Sequence, residues 1–537
     1  MKRSLILSIL LLPAMLSAQA QETVQDLSKK ATKGYLLKAE NVAGNYTITY
    51  KIPGDKKKNE IFYETYTFDQ QIKFLKNQEV TEPKESAGQH PERTVSGYYA
   101  TVGGCSSFDI LSMKLKFNKY TDLQAWDYKK QRYITKKSIS TETIKARNDD
   151  GKYEGYASFI NNTDQSLFVL GGQESKQNKK ATDFFIIQFN SSSEIIAKPV
   201  DITGGQSLVY STQLKNGDIA LVFAPKKGAA DLTAYTYLRY TGKGQLVDKV
   251  GFKSPSTNLL IVEVTEEEGS VFFCGTSTKS KDAYGEVFDD YAGAILNPCF
   301  KEANNKYDFN WEKKATEKMD SFHLLKFTGN KLDFATTALV SDFKGKFKTS
   351  PTDKKADAYK GSKFSVQEFM VTPNGEYLIA GQLNGKTNLG MGNPVTTYED
   401  IVCFHFDKQG QLKAQYGVEK LNSDKKSEIY PVKQSFILGK DGKSLYWLIL
   451  EVKGFEGYAD FLAAYAGYKS YFPRYFPRIA KLDTQSSTVN SFTILGNEKY
   501  YLTQSFNPIA DLNEHSLVFV GSDEDYKKLW VNKYVFQ

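Results

Sequence analysis

Arginine is scarce in this 537-residue chain. Of 70 basic residues only seven are Arg (Arg3, Arg93, Arg132, Arg147, Arg239, Arg474 and Arg478), leaving 63 Lys. Readers of nucleic acid depend on the bidentate guanidinium for phosphate and guanine, so a Lys-dominated, weakly basic surface excludes nucleic acid as a partner. Histidine and cysteine number four each. No HExxH, no pair of His at ligand spacing and no Cys-x-x-Cys occurs, so no metal site is expected. A Gly-x-Ser-x-Gly elbow and a phosphate-cradling glycine loop are missing too, since Gly103-Gly104 and Gly204-Gly205 read as strand-end turns. No cofactor is expected.

Long apolar runs are confined to the start. Lys2 and Arg3 precede an apolar stretch from Leu5 to Leu16, and Ala18-Gln19-Ala20 supplies a small-x-small cleavage site, which is the order of an export leader. Removing residues 1–20 leaves 517 residues with a net charge of +6. Nothing downstream approaches the roughly 18–20 apolar residues of a spanning helix, so the chain is expected not to span a membrane. Four cysteines are too few for a disulfide framework. Cys274 and Cys403 lie in apolar runs, where a thiol is a small buried hydrophobe. A single bridge from Cys274 to Cys299 is possible in an exported chain.

What is plentiful is aromatic: 34 Tyr and 35 Phe bring the aromatic share to 14%, a composition suited to strands. These residues fall into two interleaved repeats. In the first, a turn precedes an apolar run often closed by Gly: Ser166–Gly171, Asp218–Phe223, Ser270–Gly275, Glu376–Gly381, Ser444–Leu448 and Ser516–Gly521, with Gly97–Gly103 fitting too and the first unit, Asn45–Thr49, fitting weakly. Asn216-Gly217, Asn374-Gly375 and Asp441-Gly442 precede three of them, dipeptides that tolerate positive φ in a tight hairpin. In the second repeat, polar and apolar residues alternate up to an anchor. The anchors are Phe68, Phe117, Phe189, Tyr240, Phe327, Phe406, Leu482 and Tyr534, on average about 67 residues apart. Alternation at period two makes these strands.

Eight hairpin pairs at such spacing predict an all-β chain: a β-propeller of eight four-stranded blades, or seven if the weak first unit is only a closing strand. The chain stops after a third strand, Leu529–Phe536, so an N-terminal strand has to complete the last sheet and close the ring; Gly34–Leu37 is the segment expected there. Residues 21–33 then form a linker and 34–537 one domain. Thr372–Leu378 and Gly439–Leu445 resemble the S-P-D-G-x-x-L hairpin of WD40-like propellers of the TolB type, although the Gly-His and Trp-Asp pairs of WD40 blades are absent. The Lys-, Asn- and Tyr-rich style and the Ala-Gln-Ala-Gln leader end resemble exported proteins of Bacteroidota, which implies a periplasmic setting.

With strands lettered A to D from the axis outward, the first repeat is B and the second C. B–C loops and D–A linkers then share one face, and A–B and C–D turns the other. From the first apolar residue to the anchor the B–C distance is 21 or 22 residues in the units ending at Tyr240 and Phe189, but 56 and 37 in those ending at Phe327 and Leu482. Loops that lengthen freely are where binding residues gather. Three insertions decorate this face, at 276–321, 342–363 and 454–478. The second carries seven Lys against three Asp. The third places Tyr458, Phe461, Tyr465 and Tyr468 at helical spacing before the duplicated Tyr471-Phe472-Pro-Arg474 and Tyr475-Phe476-Pro-Arg478. Aromatic and Arg side chains are enriched at binding hot spots, so these residues are the candidate partner-binding set; the competing reading is that the insert buries its rings on its own blade.

The expected function is a non-catalytic periplasmic propeller that docks another envelope protein, such as an accessory or plug subunit of an outer-membrane translocon. The competing readings are a glycan-active hydrolase using axial carboxylates, among which Glu263, Glu368 and Glu451 qualify, and a sensor of sugars or other small ligands. Catalytic residues are not assigned. The acidic clusters Asp149-Asp150, Asp289-Asp290 and Asp523–Asp525 lack the alternating spacing of a Ca²⁺ loop and read as solvated turns.

Overall fold

The computed structural model describes residues 20–54, 60–83, 91–101, 116–127, 132–145, 147–148, 151–160, 167–174, 181–189, 195–202, 205–225, 228–279, 319–351, 356–362, 364–388, 394–421, 431–453, 474–502 and 508–537. They form eight antiparallel sheets in a ring, an eight-bladed β-propeller. Blade four shows the plan with Gln206–Gln213, Ile219–Pro225, Ala234–Tyr240 and Leu246–Lys253 as strands A to D. The two repeats are strands B and C in the other blades as well, blade two excepted, where Phe117 stands at the start of its strand instead of closing it. Strand B of blade four is buried along its whole length, as a strand covered on both faces must be. Blade two shows three strands among the described residues.

Packing is blade against blade. The anchors Phe68, Tyr240, Phe327, Phe406, Leu482 and Tyr534 are all buried. Six apolar clusters fill the gaps between neighbouring sheets: Leu221 and Phe223 meet Phe168 and Phe184 across blades three and four, and Trp447 and Ile449 meet Ala414 and Val418 across blades six and seven. The two hairpins that carry the TolB-like pattern are the A–B turns of blades six and seven. Gly375 and Gly442 adopt φ of +77° and +64°, and the Asp441 carboxylate accepts the Ser444 hydroxyl at 2.6 Å and the Lys443 and Ser444 amides at 2.9 and 2.7 Å, which together draw its pKa down to about 2.

A recurrent irregularity explains why strand B is closed by glycine. In five blades the A–B register slips by one residue, between Leu36 and Lys38, Gly155 and Ala157, Leu208 and Tyr210, Ile261 and Glu263, and Val366 and Glu368. The bulge bends strand A toward its partner. Opposite it in blades five and six stand Gly275 and Gly381. A Cβ on Gly275 would lie 2.6 Å from the Leu260 carbonyl oxygen, and one on Gly381 would collide with the carbonyl of Ser365. Only glycine fits so near another backbone.

Three expectations are corrected. The strand that completes blade eight is Ala20–Asp26, paired antiparallel to Lys528–Val535, whereas the segment from Gly34 opens the inner strand Tyr35–Val42 of blade one. Residues 21–33 are therefore no simple linker, and the ring extends beyond 34–537. Gln21, Glu22 and Gln25 gave no strand signal, but seven residues suffice when an edge awaits a partner. The expected leader cut falls at the first residue of this strand. Second, the basic linker 342–363 folds back on the ring: Phe343 and Tyr359 are buried against Phe404, and Phe347–Thr349 adds a parallel strand beside Leu412–Val418. Third, Cys274 is a free, fully buried thiol. Burial pushes its pKa well up, so it behaves as core; Cys299 lies outside the described residues.

Candidate functional site

The bulge sets one level of side chains around the axis. The residue after the slip is Lys38 in blade one, Ala157 in blade three, Tyr210 in blade four, Glu263 in blade five and Glu368 in blade six. The last three occupy consecutive innermost strands, and those strands touch. All three side chains are half-buried. Glu263 accepts its neighbour's amide from Val264 at 3.0 Å, yet burial outweighs that bond and raises its pKa. Burial also raises Glu368; Lys215 pulls it back and the negative charge of Glu263 pushes it further up. Burial and then the charge of Glu263 raise the Tyr210 phenol. Lys215 itself sits in the A–B turn of blade four, Leu214–Asp218.

The arrangement brings two carboxyls within electrostatic reach of each other. Two carboxylates that feel each other do not ionise together. Burial raises both carboxyls; the Val264 amide opposes that rise at Glu263, whereas the charge of Glu263 adds to it at Glu368. Groups whose pKa is displaced by burial together with a named partner mark functional sites.

Other acid–base groups are engaged elsewhere. Glu451, the third carboxylate picked out in the sequence, lies in strand B of blade seven and pairs with Arg478 at 2.7 Å, both nearly inaccessible. The Arg478 guanidinium also donates to the Glu419 carbonyl at 2.6 Å, and Glu451 accepts the Leu421 amide. The pair thus clamps the connector between blades six and seven. His323 lies between the hydroxyls of Ser277 and Thr337 at 2.7 and 3.0 Å, and burial lowers its pKa to about 4. His405 bridges the Tyr416 hydroxyl and Glu376 at 2.9 and 3.1 Å, while Lys413 reaches Glu376 at 2.7 Å. Burial lowers His405. Both imidazoles are neutral core groups, in line with the structural role their equivalent strands imply. Among the described residues no group of three or more His, Cys, Asp or Glu could hold a metal ion, and no helix is long and apolar enough to cross a membrane.

The partner-binding set divides. Tyr458, Phe461, Tyr465, Tyr468, Tyr471 and Phe472 lie outside the described residues. Phe476 and Arg478 are buried in strand Arg474–Asp483, so they are not offered to a partner: the strand begins four residues before the duplicated motif ends and is covered on both faces from Phe476 to Ala480. Arg474 and Tyr475 stay half-exposed. The Arg474 guanidinium sits 4.8 Å above the Tyr501 ring, with Glu524 at 3.5 Å and Glu498 at 3.7 Å. Reading by residue picked out Glu263 and Glu368 but missed Tyr210 in the same row; the signal for the two carboxyls was Gly275 and Gly381 opposite their bulges.

No protein-family model matches the chain, and no curated protein matches it by sequence. Among solved structures it is similar to a puromycin hydrolase mutant complexed with PGG, at 8% identity and a TM-score of 0.27 over 91% of this chain; the match spans 59% of that enzyme's length. It is also similar to an α-L-arabinanase of Penicillium chrysogenum complexed with arabinobiose, at 9% identity and a TM-score of 0.24, covering 69% of this chain and 89% of that one. A DUF4221-family member from Bacteroides vulgatus matches at 10% identity and a TM-score of 0.24, covering 71% and 94%. Such distant likenesses bring no residue-by-residue correspondence.

Proposed function

We propose that this chain is a glycan-active hydrolase whose acid–base pair is Glu368 and Glu263. The observation that supports it is the placement of two half-buried carboxyls on adjacent innermost strands, both raised by burial, with the charge of Glu263 raising Glu368 further. Glycosidic cleavage needs a proton donor for the leaving oxygen and a second carboxylate that activates water or attacks the sugar carbon. In this reading Glu368 donates and Glu263 is the base or nucleophile. Tyr210 and Lys215 border the pair, the first as an aromatic and hydroxyl surface for a sugar, the second as a charge that tunes the donor. The leader-like residues 1–20 favour an exported, periplasmic setting, where polysaccharide is within reach.

The test is release of reducing ends from a panel of plant, algal and peptidoglycan-type polysaccharides. Glu368→Gln and Glu263→Gln should each reduce release by about 100-fold or more. Absence of release across the panel, or release indifferent to both changes, overturns the proposal. The topology supports a second reading, a docking platform for an envelope protein. Four enlarged connectors, 278–320, 340–363, 419–432 and 454–473, are B–C loops or D–A linkers and so leave the ring on one face.

A further inference from the structure

The ring is closed by a strand that contributes almost nothing to the core. None of the seven residues of Ala20–Asp26 is buried; they alternate between exposed and half-exposed. The residues turned toward the body are Gln21, Thr23 and Gln25, whereas the one aliphatic residue beyond the first, Val24, points outward and is 37% exposed. Their partners are better placed. Thr23 stands opposite Val531 and Gln25 opposite Leu529, and both partners belong to the apolar cluster between blades eight and one. By comparison, strand D of blade four buries Val250 and Phe252 at its alternate positions. The closing strand is held by its backbone ladder and one exposed ion pair from Asp26 to Lys528, an interaction of small value.

The chain tightens abruptly after it. The Ser28 amide donates to the Tyr66 hydroxyl at 2.9 Å, the Ser28 hydroxyl binds Glu64, and the Ala31 amide donates back to the Ser28 oxygen at 3.1 Å. Ala31 is buried. Residues from Ser28 onward are thus fixed to blade one, and the strand can leave without disturbing them. Its departure uncovers the backbone edge of Lys528–Val535, a ready template for another extended segment.

We propose that this edge is an exchangeable docking site for an extended peptide of a second protein, entering antiparallel to Lys528–Val535 in place of Ala20–Asp26. Strand addition draws affinity from the backbone ladder and selectivity from alternate side chains. The peptide that fits carries β-branched or aliphatic residues opposite Leu529 and Val531 and an acidic residue opposite Lys528, satisfying what the chain's own Gln25 and Thr23 leave unused.

The probe is a fluorescent peptide with the sequence of residues 20–27 bearing Thr23→Val and Gln25→Val, added to the full chain and followed by anisotropy. The full chain is expected to bind it, and the full chain carrying the same two substitutions, whose own strand now fills the cluster, to bind at least tenfold more weakly. Amide exchange at 21–26 is expected to run at least 100-fold faster than at Ser516–Ser522. Three results overturn the proposal: no binding to the full chain, equal binding to the full chain and its doubly substituted form, or equal exchange in the two strands. A dimer that grows with protein concentration without peptide also overturns it, by giving the edge to a second copy.

Discussion

Replacing Arg478 by Met removes one partner of a buried ion pair and leaves the Glu451 carboxylate, 2% exposed at its side chain, without its counter-charge. Removing one member of such a pair costs about 3–5 kcal/mol, while replacing both by apolar groups of similar volume costs far less. The Glu419 carbonyl loses its donor too, so the connector between blades six and seven loosens with the pair. The assay is urea unfolding of four chains: unsubstituted, Arg478→Met, Glu451→Leu and the double variant. Each single variant should lose about 3–5 kcal/mol, and the double variant less than the sum. A pH dependence follows. Burial, the largest cause, holds the Glu451 pKa above its ordinary value even with Arg478 present, and without Arg478 the pKa rises further. A carboxyl whose folded pKa lies above its unfolded value stabilises the fold below the unfolded value and ceases to do so as pH rises through the folded one. The deficit of Arg478→Met should therefore shrink on acidification from pH 8 toward pH 5. A deficit within about 0.5 kcal/mol at every pH, the usual result for a surface position, would refute the assignment of Arg478 to the interior.

Gly381→Ala should destabilise blade six, because the added methyl meets the Ser365 carbonyl; a loss of about 1–3 kcal/mol is expected for an overpacked site, and an unchanged unfolding midpoint would contradict the close approach. Phe343→Ala empties a fully buried ring site between the linker and Phe404; it should cost about 3–5 kcal/mol and make the 344–351 segment an early site of proteolytic cleavage. Lys215→Met removes the charge that draws Glu368 down, so the pH above which Glu368 loses its proton should move up, read from the alkaline limb of activity or directly by NMR.

The regular parts of the ring were legible in the sequence and the irregular ones were not. Strands B and C repeat because both faces are covered and every blade needs the same apolar pattern, as in Ser270–Ser277, buried from end to end. From them came the blade number and the face that carries the long connectors. Strand A hid behind its bulges, since a slipped register breaks the alternation at Val262 and Gln367. The closing strand Ala20–Asp26 hid because its inward residues are polar, so periodicity had nothing to find. Arg478 and Phe476 were read as loop residues by composition, when continuation of strand C through Arg474–Asp483 decides their burial. Glu263, Glu368 and Glu451 looked alike as acidic residues on strands; only the sheet order separates the two at the axis from the one clamped by Arg.

The most direct measurement is the titration of the Glu263 and Glu368 side-chain carboxyl carbons by ¹³C NMR in the folded chain. Glu368 should titrate above the ordinary glutamate range, and Glu263→Gln should lower its midpoint by removing the charge that opposes its ionisation. Ordinary midpoints for both, or a Glu368 midpoint that ignores Glu263→Gln, would contradict an acid–base pair at the axis.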